Sequence, residues 1–267
     1  MKGSRTVGLD TGAFLGVLIA IFGLSAGSLL EGGHLTQLLQ PTAALIVLGG
    51  TLGAVMVQFP FSIVRRAFAA LRGVFLSGDS EPDRIVQHLL RYAYKARKEG
   101  LLSLEAEVMK IEDHFLRESL MLAIDGVSAP ELRKMMELQL EYEGEKDERI
   151  PKVFDAAGGF APTFGILGAV LGLIQVMQHL QSIHDVGKGI AVAFVATIYG
   201  VGAANLFFLP WAGKLRIRLR ERQVVEEMML EAVLSIVEGV NPRALESRLS
   251  HLGGVPRSQR LEKVVAL

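Results

Sequence analysis

The sequence predicts an all-α, polytopic membrane protein with four transmembrane helices, a large helical cytoplasmic loop and a helical C-terminal tail. Half of the 267 residues are hydrophobic and only 21% are charged, whereas soluble domains carry about 25% charged residues. The charges are absent from four long stretches, and nearly all basic residues fall in one set of segments. Together these observations indicate a membrane protein with a defined orientation.

Each of the four stretches without Asp, Glu, Lys or Arg is long enough to cross the ~30 Å hydrocarbon core of a bilayer as a helix. For the first stretch, a cleavable signal peptide is the competing interpretation, with Lys2 and Arg5 as its basic start. The stretch exceeds the usual apolar core of such a peptide, about 7–15 residues, so we interpret it as a retained helix. The stretches are residues 11–30, 41–64, 156–183 and 189–213.

The distribution of Lys and Arg predicts the orientation, because basic residues accumulate on the cytoplasmic side. The connection at residues 31–40 contains none, and the connection at residues 184–188 contains only Lys188. We therefore expect a multi-pass protein with both termini in the cytoplasm. The predicted division is residues 1–64 (spans 1 and 2), 65–155 (cytoplasmic helical domain), 156–213 (spans 3 and 4) and 214–267 (cytoplasmic tail).

The first half of the cytoplasmic loop shows the signals of an amphipathic helix. Ser80 and Pro82 are a typical capping residue and early proline, and Gly100 is a typical stop signal just beyond Glu99. One apolar stripe runs along this helix, as expected when one face is buried. The stripe consists of Ile85, Leu89, Tyr92 and Ala96.

The rest of the loop and the tail contain two further helix starts. Residues 128–131 (Ser-Ala-Pro-Glu) form a capping box that opens a second amphipathic helix. We expect this helix to finish in the charged run at residues 141–149, because Pro151 would break the chain before the third span. In the tail, residues 241–242 (Asn-Pro) predict a short helix to about Leu252.

The third and fourth spans each carry a face of small residues, which either packs closely against another helix or leaves space along a pore. Pro162 and Pro210 lie inside these spans, where each removes a backbone hydrogen bond and so kinks or loosens its helix. Thr197 places a hydroxyl near mid-span, where it would ordinarily bond the carbonyl four residues earlier. The small faces are Gly165, Gly168 or Ala169, and Gly172, and Ala193, Thr197, Gly200 and Ala204.

Asp, Glu, Lys and Arg are missing from all four stretches, although a pump or proton relay requires an ionisable group inside the membrane. His179 lies near the outer end of the third stretch, where a lone histidine is more often an interface residue than a relay. If the chain conducts ions, the titrating carboxylate must come from another protein. The sequence therefore predicts a membrane partner with an Asp or Glu in its own helix. Motifs of an enzyme are missing as well, so we expect no catalytic activity, no cofactor and no metal site. The zero net charge argues against nucleic acid as a partner.

Five stretches follow the pattern of one known family. They are residues 97–105 (RKEGLLSLE), 160–173 (FAPTFGILGAVLGL), 189–200 (GIAVAFVATIYG), 205–210 (NLFFLP) and 238–243 (EGVNPR). The chain resembles the MotA/PomA flagellar motor subunits, within the MotA/TolQ/ExbB channel family, over nearly its whole length. Four spans rather than three favour the motor branch over TolQ and ExbB.

The resemblance implies a stator subunit of the bacterial inner membrane that converts ion flow into torque. Several copies would form a ring around a MotB-like, peptidoglycan-binding partner that supplies the ion-carrying Asp. The cytoplasmic loop would push a FliG-like rotor switch protein. By position, Pro162 and Pro210 match the family's two mechanistic prolines, and Thr197 matches the threonine near the partner's Asp. Arg97 and Glu105 match the loop charges that pair with the rotor.

Ala169 bears on the coupling ion. Sodium-type members of the family tend to carry a second threonine on the third helix, where this sequence has Ala169. A methyl group cannot ligate sodium, which needs several oxygen ligands in place of its water, whereas a proton needs only an acceptor and a water path. The resemblance therefore implies proton coupling in a channel lined by Pro162, Ala169, Thr197 and Pro210.

Two other classes of function stay open at this point. A TolQ/ExbB-like, proton-driven energiser of a non-flagellar envelope or gliding system would share the third and fourth spans. The large loop with Arg97 and Glu105 argues against that class. A structural scaffold or a small transporter is the other class. A transporter is expected to show polar or discontinuous helices at the midplane, where this chain offers small residues and Thr197.

Overall fold

A computed structural model describes residues 7–32, 35–78 and 82–253, which form an almost entirely helical protein. Four helices are long and apolar enough to cross a membrane, which confirms the predicted fold class. The two longest have 50 and 55 residues, whereas a bilayer requires about 20, so only part of each crosses it. In the described part of the chain, two strands of three residues each pair antiparallel.

The elements follow one another along the chain with short connections. The first third contains β1 (Val7–Leu9), α1 (Thr11–Leu30), α2 (Pro41–Gln58), α3 (Phe61–Ala70), α4 (Arg72–Phe75) and β2 (Leu76–Gly78). The middle contains α5 (Pro82–Glu99), α6 (Glu105–Val108) and α7 (His114–Ile124). The remainder contains α8 (Ala129–Gln178), α9 (Ile183–Val237) and α10 (Pro242–Gly253). Segments of π-helix occupy Leu45–Gly49 within α2 and Ala203–Phe208 within α9.

The chain forms two compact units. The first, which we call the membrane unit, combines Met1–Asp79 with Asp147–Ile217. The second, which we call the loop unit, combines Ser80–Lys146 with Arg218–Leu267. Helices α8 and α9 therefore each contribute one part to the membrane unit and the other part to the loop unit.

In the membrane unit, the small faces of α8 and α9 pack directly against each other. A Cβ atom added to Gly172 would lie 2.7 Å from the carbonyl oxygen of Gly189, and one added to Gly200 would lie 2.5 Å from that of Ala161. Only hydrogen fits at these positions, because the neighbouring atoms belong to the backbone. The sequence allowed two roles for these faces, close packing or leaving space along a pore. Within the chain, they pack closely.

Helices α2 and α1 relate differently to this pair. Ala43 and Val47 of α2 are fully buried against Val195 and Ala196 of α9, so α2 adds a third helix to the packed group. No residue of α1 is buried, and nothing lies within 4 Å of a Cβ added to Gly16. The face of α1 is therefore open in the single chain.

Aromatic side chains form a second core in the membrane unit. The single Trp211 packs edge-on against Phe154, with ring centroids 5.8 Å apart, and against Phe208 at 6.0 Å. Phe154 is almost fully buried, together with Val64 and Ala67 of α3. This core joins α3 to α8 and α9.

The loop unit confirms the predicted amphipathic helices. On α5, Leu89 and Tyr92 are buried while Ile85 and Ala96 are partly buried, as the stripe predicted. Gly100 ends α5 with φ of +85°, a conformation that favours glycine. The predicted cap at Ser80 lies outside the described residues. The tail helix is also confirmed, as α10 begins at Pro242.

The predicted break at Pro151 is wrong. Helix α8 runs from Ala129 to Gln178 through both Pro151 and Pro162, so the charged run at residues 141–149 continues into the third span. A proline removes one backbone hydrogen bond, and the loss is tolerated here because Val153 and Phe154 are anchored in the aromatic core. Burial on one side of the proline holds a helix that local sequence signals would end.

The connection predicted at residues 184–188 is also wrong, because α9 already begins at Ile183. The Ser182 side chain accepts a hydrogen bond from the Asp185 amide at 3.4 Å and so caps the helix. Charged residues can occupy the first turn of a helix. The spans were delimited by the absence of charged residues, so the start of this helix was placed too late. The second charge-free stretch differs as well, since α2 ends at Gln58 and Pro60 separates it from α3.

Gly200→Ala is expected to destabilise the protein by about 1–3 kcal/mol, because the added methyl group would meet the backbone of Ala161 and Pro162. Gly202→Ala is the matched control, since nothing lies within 4 Å of its Cβ position. Thermal unfolding in detergent, followed by the fluorescence of Trp211, measures the difference. Equal melting temperatures for the two variants would contradict the close packing of α8 and α9.

Candidate functional site

Pro162 and Thr197 lie on the packed faces of α8 and α9. The Cα atom of Pro162 lies 3.1 Å from a Cβ added to Gly200, and that of Thr197 lies 3.3 Å from a Cβ added to Gly165. Both candidates therefore sit where the two backbones touch. The Thr197 hydroxyl donates to the Ala193 carbonyl at 3.3 Å, and its lone pairs are left to accept from water or a partner.

Ala169 adjoins the same contact. Its neighbour Gly168 would place an added Cβ 2.7 Å from the Cβ of Ala196, the residue before Thr197. Ala169 itself is partly buried and offers only a methyl group. The structure thus places Pro162 and Thr197 at the contact between α8 and α9, while Ala169 follows Gly168 of that contact in sequence.

Pro210 occupies a different place. It follows the π-helical segment Ala203–Phe208, and it has no N–H to donate to the Leu206 carbonyl. A π-segment relaxes the regular ladder of an α-helix, so the loosening predicted for this span is found next to Pro210. Pro210 also lines a cavity of 430 Å³ between α9 and α1. The α1 side of the cavity is formed by Gly12, Ala13, Gly16, Val17 and Ala20.

An ion pair that the sequence analysis missed lies beside this cavity. Lys214 Nζ of α9 is 2.6 Å from Asp10 Oδ2, at the start of α1. Asp10 also caps α1 by accepting from the Ala13 amide at 3.0 Å. The pair ties the otherwise open α1 to α9. Its two residues lie at opposite ends of the membrane unit in sequence, so no local pattern could have joined them.

Tyr199 is the clearest functional residue that sequence reasoning missed. Its hydroxyl donates to the Leu38 carbonyl and accepts from the Gln40 amide at 3.3 Å. Gln40 precedes the first turn of α2 and has no side-chain cap of its own, so a hydroxyl from α9 satisfies backbone groups that a helix start leaves unpaired. The available signal was a phenol within an otherwise apolar span, which requires a hydrogen-bond partner when buried.

Arg97 and Glu105 lie in the loop unit, at the end of α5 and the start of α6. Both side chains are exposed, and neither forms an ion pair with another residue that the structure describes. Lys95 and Glu107 enclose them in sequence and pair with each other at 2.5 Å. This hydrogen bond raises the pKa of Lys95 above its ordinary value. Lys95 and Glu107 are thus paired within the loop unit, while Arg97 and Glu105 are exposed and without an ion pair among the described residues.

Within the described ranges, no group of three or more His, Asp or Glu side chains is placed to hold a metal ion. The candidate residues on α8 and α9 are two prolines, an alanine and a threonine. They can shape a path and offer one hydroxyl, but none can carry a proton by changing its charge. These residues can therefore influence the shape of the helices, but they provide no acid–base chemistry.

Comparisons with known proteins match nearly the whole length of the chain. Residues 107–229 match the MotA/TolQ/ExbB proton channel family, and residues 14–100 match the N-terminal region of motility protein A. Motility protein A of Bacillus subtilis is 33% identical over 255 residues, which cover 95% of this chain and 94% of that protein.

Two solved structures share the fold. One is a structure of C. jejuni MotAB, with a TM-score of 0.87 and 31% identity, covering 94% of this chain and 97% of that chain. The other is the flagellar MotAB stator complex from Bacillus subtilis, with a TM-score of 0.83 and 33% identity, covering 94% of this chain and 98% of that chain.

Tyr199→Phe is expected to destabilise the start of α2 by about 1–3 kcal/mol, because it leaves a half-buried amide and carbonyl without their partner. Hydrogen exchange should quicken at the backbone amides around Gln40. Tyr142→Phe is the matched control, since Tyr142 is 67% exposed. Unchanged exchange around Gln40 in Tyr199→Phe would show that the Tyr199 hydroxyl does not bond to the backbone of Leu38 and Gln40.

Proposed function

This chain belongs to the MotA/TolQ/ExbB proton channel family, in its motility protein A branch, and we propose that it works with a MotB-like partner as a flagellar stator. It is a multi-pass protein of the inner membrane and an ion-channel subunit, not an enzyme. The observation that carries this function is agreement in sequence and fold with MotAB complexes over 94% of the chain. This agreement favours the stator over the non-flagellar energiser.

The need for a partner follows from the lack of a proton-carrying carboxylate in the spans of this chain. The four charge-free stretches contain no Asp or Glu, and His179 lies just beyond the end of α8, so this chain has no carboxylate inside the membrane that can take up and release a proton. A MotB-like subunit with an Asp in its own helix supplies that group, and its peptidoglycan-binding part anchors the complex. Several copies of this chain form a ring around it. The two solved relatives are MotAB structures, which supports a MotB-like partner.

The coupling ion is the proton. Ala169 supports this, because it adds no oxygen ligand to the one hydroxyl of Thr197. A sodium ion stripped of water needs several oxygens, whereas a proton can pass along water to a carboxylate. Pro162 and Pro210 shape the helices of the path. Thr197 stands near the partner's Asp and accepts or donates a hydrogen bond there.

Torque passes through the loop unit. Residues 65–155 and 214–267 face the cytoplasm together with both termini, in line with the positive-inside rule. Arg97 and Glu105 then contact a FliG-like rotor protein. Their support is that both are exposed and have no ion-pair partner among the described residues, so they keep their charges available. Arg97 and Glu105 have opposite charges, so each requires a rotor residue of the opposite sign. This requirement restricts how the two proteins can be oriented.

The first test is the swimming speed of stator-deleted cells that express this chain with its own partner. Replacing sodium by potassium should leave the speed unchanged, and a protonophore should abolish it. Speed that follows sodium and survives the protonophore would keep the stator and overturn the proton assignment. No swimming, with both proteins inserted and assembled, would favour the non-flagellar energiser.

Arg97→Glu is expected to reduce stall torque several-fold, since it turns an attraction for the rotor into repulsion. Lys134→Glu is the matched control, because Lys134 is also exposed and basic in the loop unit. Torque is measured on tethered cells with equal membrane levels of both variants. Equal torque for the two variants would remove the assigned role of Arg97.

A further inference from the structure

Helices α3 and α4 begin where the chain leaves the second span. Helix α2 ends at Gln58, and two residues in an extended conformation, Phe59 (φ −120°, ψ 141°) and Pro60 (φ −56°, ψ 141°), lead into α3. The three residue steps from Gln58 to Phe61 span at most about 11 Å. Helix α3 therefore starts within about 11 Å of the end of a membrane span, at the level of the lipid headgroups.

One side of these two helices is anchored in the membrane unit. Val64 and Ala67 of α3 and Val74 of α4 are buried in the aromatic core. They fix the helices along their length and determine which residues face outward. The outward side is therefore a fixed surface and not a freely rotating one.

The outward side carries a stripe that alternates aromatic and basic residues. Phe61, Arg65, Phe68 and Arg72 follow the spacing i, i+4, i+7 and i+11, which places them on one face. Phe61 is 67% exposed. Phe68 lies at the edge of the stripe, where its ring packs edge-on against Phe154 with centroids 6.2 Å apart and is still 51% exposed. Both arginines are exposed. Residues 59–78 contain three arginines and no acid.

The charges of this stripe are not neutralised within the described part of the chain. The third arginine, Arg66, pairs with Asp147 at 3.1 Å. Arg65 and Arg72 form no ion pair with a residue that the structure describes. Exposed basic residues next to exposed aromatic rings, at headgroup level, are complementary to a surface with phosphates outside and hydrocarbon just beneath.

We propose that the stripe Phe61–Arg65–Phe68–Arg72 is a binding site for anionic phospholipid headgroups. The two guanidinium groups bind headgroup phosphates in two-pronged geometry, and the two phenyl rings insert among the upper acyl carbons. A soluble acidic protein would match the arginines but not the exposed rings. This inference does not depend on flagellar function, since it concerns how the membrane unit is held in its bilayer.

The expected strength follows from two basic residues at a membrane surface. Each contributes about fivefold to binding of an anionic surface, so losing both charges should weaken binding by at least about tenfold. The bound lipids set the height of α3, and through the aromatic core they restrain α8 and α9. Stability in the membrane should therefore depend on anionic lipid.

The experiment uses the full chain, purified with its partner in mild detergent and titrated with phosphatidylglycerol or phosphatidylcholine. Native mass spectrometry counts the lipids bound per complex. The variant is Arg65→Gln with Arg72→Gln, and the matched control is Lys110→Gln with Lys134→Gln, two exposed basic residues of the loop unit. We expect at least tenfold weaker binding of phosphatidylglycerol in the first variant only, and little binding of phosphatidylcholine by any protein.

The site would be overturned if phosphatidylglycerol binding were unchanged in the double variant, or if the control lost binding equally. Equal affinity of the unaltered complex for both lipids would also overturn it. If the double variant does not assemble, Arg65→Lys with Arg72→Lys keeps the charge and should retain the preference for phosphatidylglycerol. Protection of the stripe by a neighbouring copy, with no effect of lipid, would assign it to the ring interface and likewise overturn the site.

Discussion

The membrane unit depends on the backbone contact between α8 and α9. Gly172 meets the carbonyl of Gly189 at one end of the contact, and Gly200 meets that of Ala161 towards the other. In a bilayer the lipid tails are as apolar as the side chains, so helices gain stability from close van der Waals packing and not from burial of apolar surface. Glycine carries only a hydrogen atom in place of a side chain, so the two backbones can approach closely. The rigid positions of Pro162, Ala169 and Thr197 follow from it, because all three lie on or beside the contact.

This packing restricts where ions can pass. The small faces of α8 and α9 are filled by each other within one chain, so a water path must run along another surface, between this chain and a partner or a second copy. The absence of acids and bases from the spans leads to the same conclusion, since a charge buried in hydrocarbon without a partner is costly. The chain provides the shape of a channel and one hydroxyl, while the ionisable group belongs elsewhere. A subunit without charge in its spans can also move in the bilayer without desolvating an ion.

Around Phe154 and Trp211, aromatic and ionic contacts replace glycine packing. Trp211 and Phe154 join α9 to α8, and ion pairs add to them, as Arg216 pairs with Asp155 and Lys214 pairs with Asp10. These contacts explain how α8 stays helical through Pro151: the lost backbone bond is a small cost against tertiary packing on one side. At the other end of the unit, the Tyr199 hydroxyl performs the capping that the sequence around Gln40 does not provide.

By itself, the sequence determined the number of spans, the helices α5 and α10, the start of α8 and the family. These features rest on composition, helical periodicity and local motifs, which act over one or two turns and are readable in a window of residues. Leu89 and Tyr92 were correctly placed inside, and Gly100 at a helix end, for that reason. Tertiary structure alone decided that α8 continues through Pro151, that Asp10 meets Lys214 and that Tyr199 caps α2. Each of these depends on atoms brought together from distant parts of the chain, where the energy of packing outweighs the local preference that a sequence pattern reports.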